Sequence, residues 1–431
     1  MKMKTTNGKK WTVMVYLAGD NNLDNAGVAD LMEMKRVGST ADVNVLAQFD
    51  RAGSRLSTNR YFLNKGGSLA KDVVQSLGET NTGDPKVLSN FVTWCVKNHP
   101  AERYMLVLWN HGAGWDDSNL YEGDYFSGAT PPVARKRALI APGSGKSTAK
   151  ALNFGVARAG LRRARRALFN TTVQTMVASR AIAFDDQAKD FLDNIEMKRV
   201  LTGIKKLIGR KIDILGFDAC LMSMIEVSDQ IKNTANFTVG SEEEEPGEGW
   251  PYDTILKALI AKPSMTAAEL SGTIASKYLA SYKSNSNVTF AATDLGTIDK
   301  LTQAINALAG KLSKGMNDPA LRNAIMTARS QAQEYSSPYD NYVDLADLCS
   351  LIVHYARRSD MTAVCNAVKV TIAKAVIRQG AKGSKVKNSN GISIYFPKRE
   401  ICRLYTTLDF AKATRWPKFL KDYLAYANRR P

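Results

Sequence analysis

Short, unbroken apolar runs alternate along this chain with segments whose apolar residues recur at helical spacing. Trp11–Ala18 (WTVMVYLA), rich in valine and aromatics, ends at the turn signal Gly19-Asp20 and reads as a buried strand. A helix through Val28–Met34 is predicted next, then strands at Val43–Phe49 and Tyr61–Leu63. Asp84-Pro85 opens another helix, with aspartate as N-cap and proline at the first helical position. Val87, Leu88, Phe91, Val92, Cys95 and Val96 share one face of it, which makes Cys95 a core residue. Further strands are predicted at Tyr104–Trp109 (YMLVLW), Ile212–Phe217 (IDILGF), Phe237–Val239, Val288–Ala292 and Ile392–Phe396.

Strands that alternate with helices imply an α/β fold, a mainly parallel sheet sandwiched by helices. From about Thr297 the pattern turns helical, with amphipathic helices expected at Leu301–Leu312 and Val343–Tyr355. The expected organisation is a core over residues 10–254, interrupted by an insert at 125–184, and an α/β, helix-rich C-terminal domain over 255–431.

The 431 residues are 44% hydrophobic, enough for a large core, and no apolar run reaches the roughly 20 residues of a membrane span. Met1–Lys10 is polar and basic and lacks the apolar middle of a signal peptide. The five cysteines form no CxxC pair, which argues against a disulfide scaffold or a zinc knuckle. Only His99, His111 and His354 are present, so a histidine-rich metal site is not expected.

A net charge of +18 raises the question of nucleic acid. Tyr125–Phe184, however, contains no Asp or Glu and holds eleven cations, from Arg135 to Arg180. The basicity therefore belongs mainly to one segment. The alternative reading is a basic nucleic-acid- or phosphate-binding protein using the segment 135–166. Pro142–Thr148 (PGSGKST) resembles the end of a phosphate-binding loop, but Ile140 stands where that pattern needs its first glycine. Arg158–Arg166 lacks interleaved aromatics. A solvated, cleavable loop is the simpler reading, and no nucleic-acid partner is expected.

In open α/β sheets, functional residues gather at the carboxyl ends of the strands. The strand Tyr104–Trp109 runs into Asn110-His111-Gly112, and the strand Ile212–Phe217 into Asp218-Ala219-Cys220. A helix-like run, Leu221–Ile231, follows Cys220. That order predicts a helix N-terminus at the cysteine, where dipole and free N–H groups favour thiolate. Two consecutive core strands would bring His111 and Cys220 to one sheet edge, as a cysteine–histidine dyad requires. His99, before Pro100, and His354, in a predicted helix, read as structural.

LVLWNHGAGW and DILGFDACLMSMIEV resemble the clostripain family of cysteine peptidases, related to caspases, gingipains, legumain and separase. WTVMVYLAGDNNLD and VGSEEEEPGEGWPYD resemble it too, so four ordered motifs agree over roughly residues 10–255. The resemblance implies a caspase-like core in which Cys220 is the nucleophile and His111 the general acid and base. The backbone N–H groups of Gly112 and Cys220 would form the oxyanion hole. It implies protein or peptide substrates cut after arginine or lysine, so carboxylates must line the specificity pocket. Asp218 is the first candidate; the run Glu242-Glu243-Glu244-Glu245 and Glu248 follows the next strand and would line the same edge, with Glu248, between two glycines, favoured as the second. Members of the family look to be made as zymogens cut between the His and Cys motifs, which makes Arg180 the lead processing site. The resemblance also implies a secreted or cell-surface bacterial enzyme, its leader absent from this sequence. No cofactor is required. Calcium is admitted, with Asp116, Asp117, Glu122, Asp124, Asp185 and Asp186 as oxygen donors, although no EF-hand spacing is present.

Overall fold

The structure, a computed structural model, describes residues 8–53, 56–115, 167–170, 191–335 and 341–428. In chain order the strands are β1 (Lys9–Gly19), β2 (Val43–Arg51), β3 (Asn59–Phe62), β4 (Val73–Ser76), β5 (Ala101–Trp109), β6 (Ala167–Asn170) and β7 (Phe191–Asp193). They continue with β8 (Ile212–Asp218), β9 (Ala235–Gly240), β10 (Val288–Asp294), β11 (Glu334–Tyr335), β12 (Tyr342–Asp344), β13 (Val376–Lys382) and β14 (Ser393–Tyr395). Nine of them form one sheet in the order β13-β10-β9-β8-β5-β1-β2-β3-β4. Its centre, from β9 to β2, is parallel, and both flanks turn antiparallel.

The apolar runs mark the strands covered on both faces, which is why they show no polar alternation. Along β1, Met14, Tyr16 and Ala18 join one core cluster, while Trp11, Val13, Val15 and Leu17 join the other. The helix Pro85–Asn98 packs on the first face through Leu88, Phe91, Val92, Cys95 and Val96, so Cys95 is indeed core. Asp84 caps it, accepting from the Lys86 N–H. Helices Asp24–Val37, Tyr252–Ala261 and Ala267–Ser281 cover the second face.

The sheet does not stop at residue 254. β10 and β13 come from the later part of the chain and complete one edge. Helices Ile298–Gly315, Leu345–Ala356 and Ser359–Ala375 bury side chains in the same cluster as β5 and β8. The strand predicted at Ile392–Phe396 forms as β14, in a separate three-stranded sheet with β12 and β11. The helix expected from Val343 begins at Leu345, after β12. Among the described residues, no helix is long and apolar enough to cross a membrane.

Candidate active site

β5 and β8 are parallel neighbours, with Trp109 opposite Asp218. His111 and Cys220 each lie two residues past that last pair, so the fold delivers both to the same sheet edge. The Asn110 N–H donates to the Asp218 carbonyl at 3.2 Å, extending the ladder one step. On the other side of β5, β1 ends at Gly19 and its turn carries Asn21 and Asn22 to the same place. The His111 ring nitrogen Nε2 lies 2.9 Å from Asn22 Oδ1. That oxygen can only accept, so Nε2 carries the proton and Nδ1 is left as the basic nitrogen. Burial pushes the imidazole down to about 4, and it is neutral at pH 7. Among the described contacts, no hydrogen bond joins the His111 ring to the Cys220 sulfur.

The expected helix N-terminus at Cys220 is not there. The helix starts at Ile225, and residues 219–224 form a turn in which Leu221 takes φ 66°. A left-handed leucine is strained, and the sharp turn holds Cys220 at the strand end. Its sulfur accepts the Glu245 N–H at 3.2 Å. With no helix dipole, burial dominates and pushes the Cys220 thiol up to about 12. The resting pair is thus neutral thiol and neutral imidazole, not the thiolate the sequence suggested. A Cβ on residue 112 would fall 2.3 Å from the Cys220 carbonyl oxygen and 3.0 Å from its nitrogen, so only glycine lets these two loops meet.

The later part of the chain braces both loops. The Tyr342 hydroxyl donates to the Ala113 carbonyl at 2.7 Å. The Ser393 N–H donates to the Ser223 carbonyl at 3.0 Å, and the Ser223 hydroxyl to the Gly391 carbonyl at 2.8 Å.

Asp218 is buried, and its Oδ2 accepts the Tyr252 hydroxyl at 2.8 Å. Desolvation raises it to about 7. Glu248 does not share this pocket. It is exposed, on a groove of about 510 Å³ lined also by Pro246, Trp250 and Tyr282, because Gly249, at φ 57°, turns the chain so that its own main chain meets Asp218. Near Asp218, three residues before Glu248, stands Glu245, both of whose carboxyl oxygens are buried without a hydrogen-bond partner among the described residues. Asp30 lies behind them and accepts the Trp109 indole N–H at 2.7 Å. Burial, with Asp218 nearby, lifts Asp30 to about 9. Asn22 and Asp30 escaped the sequence reading, which held Glu245 only as one of an acidic run along this sheet edge. For Asn22 the available signal was its place in the turn just past β1.

His99 ends the helix Pro85–Asn98 and stacks on Phe62 at 5.0 Å, while His354 packs edge-on against Tyr355. Arg180, the PGSGKST segment, Arg158–Arg166 and the six acidic residues considered for calcium lie outside the described residues. Of the insert 125–184, only the β6 backbone, paired with β7, is described. Among the described residues, no group of three His, Cys, Asp or Glu is arranged to hold a metal.

The model of the clostripain family matches residues 15–124 and 170–423. Clostripain of Hathewaya histolytica is 31% identical over 153 residues, which span 28% of this chain and 29% of that protein. A secreted C11 cysteine protease from Bacteroides thetaiotaomicron, solved with an irreversible peptide inhibitor, superposes with a TM-score of 0.63 at 21% identity, covering 95% of this chain and 99% of the other. An inactive zymogen C11 protease from Parabacteroides distasonis gives 0.61 at 20% identity, covering 96% and 99%. At those identities the likeness is one of fold.

Proposed function

Because this chain belongs to the clostripain family of cysteine peptidases, we propose that it is a cysteine endopeptidase cutting after arginine or lysine, with Cys220 as nucleophile and His111 as general acid and base. The observation that carries this reading is the pairing of Trp109 with Asp218, which sets His111, Cys220 and a buried carboxyl at one sheet edge.

The neutral pair suits a mechanism in which the proton moves during attack rather than before it. Nδ1 of His111 takes the proton of Sγ as sulfur bonds to the substrate carbonyl carbon, and the carbonyl π electrons move to oxygen. The N–H groups of Gly112 and Cys220 meet that oxyanion. Collapse expels the amine, which His111 protonates, and leaves a thioester. His111 then deprotonates water, whose attack releases the acid and restores the thiol. Asn22 keeps the imidazole in the tautomer this sequence needs. A basic side chain before the scissile bond finds its counter-charge in Asp218.

The chain is made as a precursor, on this reading, released by a cut in the 125–184 insert. Arg180 is the lead cleavage site, and the enzyme's own specificity makes the cut. Secretion and a role for calcium belong to the same reading.

Matched fluorogenic peptides ending in Arg, Lys or Asp, given to wild type and to Cys220→Ala, test it. Cleavage after Arg or Lys, lost in the variant, is expected, with two fragments from the wild-type chain and one intact chain from the variant. Equal fragmentation in both would remove self-processing, and cleavage surviving in Cys220→Ala would remove the nucleophile.

A further inference from the structure

With no described hydrogen bond between the His111 ring and the Cys220 sulfur, the loops that carry the two residues set their separation. The loop after β5 is pinned twice. At its near end the Asn110 N–H donates to the Asp218 carbonyl at 3.2 Å. At its far end the buried Tyr342 hydroxyl donates to the Ala113 carbonyl at 2.7 Å, and among the described residues no main-chain N–H reaches that carbonyl. Only His111 and Gly112 lie between the two pins. At Gly114, with φ 64°, a Cβ would fall 3.0 Å from the Tyr342 ring, 2.6 Å from Met224 Sδ and 3.1 Å from the Leu221 carbonyl oxygen. Tyr342 therefore meets the histidine loop and the nucleophile turn at one point.

The turn after β8 is held by the same small sheet. The Ser393 N–H donates to the Ser223 carbonyl at 3.0 Å, and the Ser223 hydroxyl to the Gly391 carbonyl at 2.8 Å. The Tyr395 N–H donates to Glu226 Oε1 at 3.0 Å. Glu226 is the second residue of the helix Ile225–Ile231, is wholly buried, and takes the Tyr405 hydroxyl at 2.8 Å on the same oxygen. β14 thus gives one edge to the nucleophile turn and the other to β12, where Tyr395 stands directly opposite Tyr342 with the rings 6.3 Å apart. Opposed residues of an antiparallel pair lie about 4.5–5.5 Å apart, so the hold on His111 and the hold on Cys220 are one strand spacing from each other. A slip of one residue between β12 and β14 would turn Tyr342 to the other face.

We propose that Tyr342 is a positioning residue: the β12–β14 pair holds the histidine loop through the Tyr342 hydroxyl and the nucleophile turn through Ser223 and Glu226, and so fixes the approach of the His111 ring to the Cys220 sulfur. This rests on the reading of His111 and Cys220 as the catalytic pair. The chain beyond residue 254 then supplies reaction geometry as well as core. A tyrosine that only filled the core would contribute to stability and leave kcat alone. A loop released at Ala113 can drift, and misplacing a reacting group by about 1 Å costs about 100-fold.

Tyr342→Phe removes the hydroxyl and keeps the ring. In steady-state cleavage of an arginine peptide by the processed protein, kcat is expected to fall about 10- to 100-fold while KM stays within about threefold. Alkylation of Cys220 by iodoacetamide, which draws on the thiol alone, is expected to keep its wild-type rate. A folded variant with kcat within about threefold of wild type, only its Tm lowered, overturns the proposal. So does a fall in kcat accompanied by faster alkylation, because that reports a loosened site and an uncovered thiol rather than a displaced histidine. Ser223→Ala releases the frame on the cysteine side and decides the matter should Tyr342→Phe fail to fold: kcat about tenfold lower or more upholds the frame, and an unchanged kcat removes it. Cys220→Ala in the same assay separates the two levels. Cleavage that survives there removes the catalytic pair and this proposal with it, whereas cleavage lost there but kept in Tyr342→Phe removes the positioning role alone.

Discussion

Gly112→Ala perturbs the proposed oxyanion hole by a single methyl group. Its Cβ would lie 2.3 Å from the Cys220 carbonyl oxygen and 3.0 Å from the Cys220 nitrogen. Carbon and oxygen normally approach no closer than about 3.3 Å, so the loops after β5 and β8 must part by roughly 1 Å. The Ala219 Cβ also stands at 3.0 Å, and since it and the two main-chain atoms have no rotatable bond to move them aside, no side-chain rotation can absorb the clash. The overpacking itself costs about 1–3 kcal/mol, which a core of this size survives. The chemistry is less tolerant. Misplacing a reacting centre by about 1 Å costs about 100-fold, and losing one oxyanion donor about 100- to 1,000-fold. These are one displacement seen twice, so they do not multiply. Steady-state cleavage of an arginine peptide is expected to show kcat down about 100- to 1,000-fold, with the loss in kcat rather than KM. Circular dichroism and thermal unfolding check that the fold persists. A folded variant with kcat within about threefold of wild type would refute a Gly112 N–H at the oxyanion.

Three further outcomes follow from the same geometry. Asn22→Ala is expected to lower kcat by up to about 100-fold, and Asn22→Asp, by setting a carboxylate at Nε2, to move the acid limb of the kcat/KM profile to higher pH. A limb that stays in place in the aspartate variant contradicts the assigned contact. With the Cys220 thiol pushed up to about 12, iodoacetamide should alkylate the resting protein about tenfold faster per pH unit between about pH 6 and 9. A rate flat across that range would mean a preformed thiolate. Asp30, lifted to about 9, stays protonated in the folded chain where the unfolded side chain has ionised. The folded state therefore binds more protons. The stabilisation is full below about pH 4 and is lost as pH rises through about 9, so Tm falls between pH 5 and 9. Asp30→Asn keeps an acceptor for the Trp109 indole and should flatten that fall, and unchanged slopes would count against it.

The sequence displayed the parts of the site that depend on buried strands. β1, β5 and β8 are covered on both faces, so their apolar runs stand out, and the residues just beyond them mark the sheet edge. What it hid depends on turns and single side chains. Four consecutive glutamates have no periodicity, and the flanking glycines pointed to Glu248, whereas the turn at Gly249 leaves Glu248 exposed and the Glu245 carboxyl oxygens buried near Asp218. The apolar run after Cys220 looked helical throughout, but Leu221 at φ 66° delays the helix to Ile225. β13 follows the helix Ser359–Ala375 without a break and, among the described residues, pairs on one edge only, with exposed side chains, so no apolar run announces it. It completes the sheet together with β10, which is why a boundary at 254 looked natural in sequence and does not divide the core.

The most direct test is to label the processed protein with an irreversible peptide probe carrying lysine or arginine before its electrophile, then map the adduct by mass spectrometry. The account predicts one adduct, on Cys220, absent with an aspartate probe and absent in Cys220→Ala. A protein that cleaves basic peptides yet carries the label on Cys95, Cys349, Cys365 or Cys402, or takes the aspartate probe equally well, would contradict it.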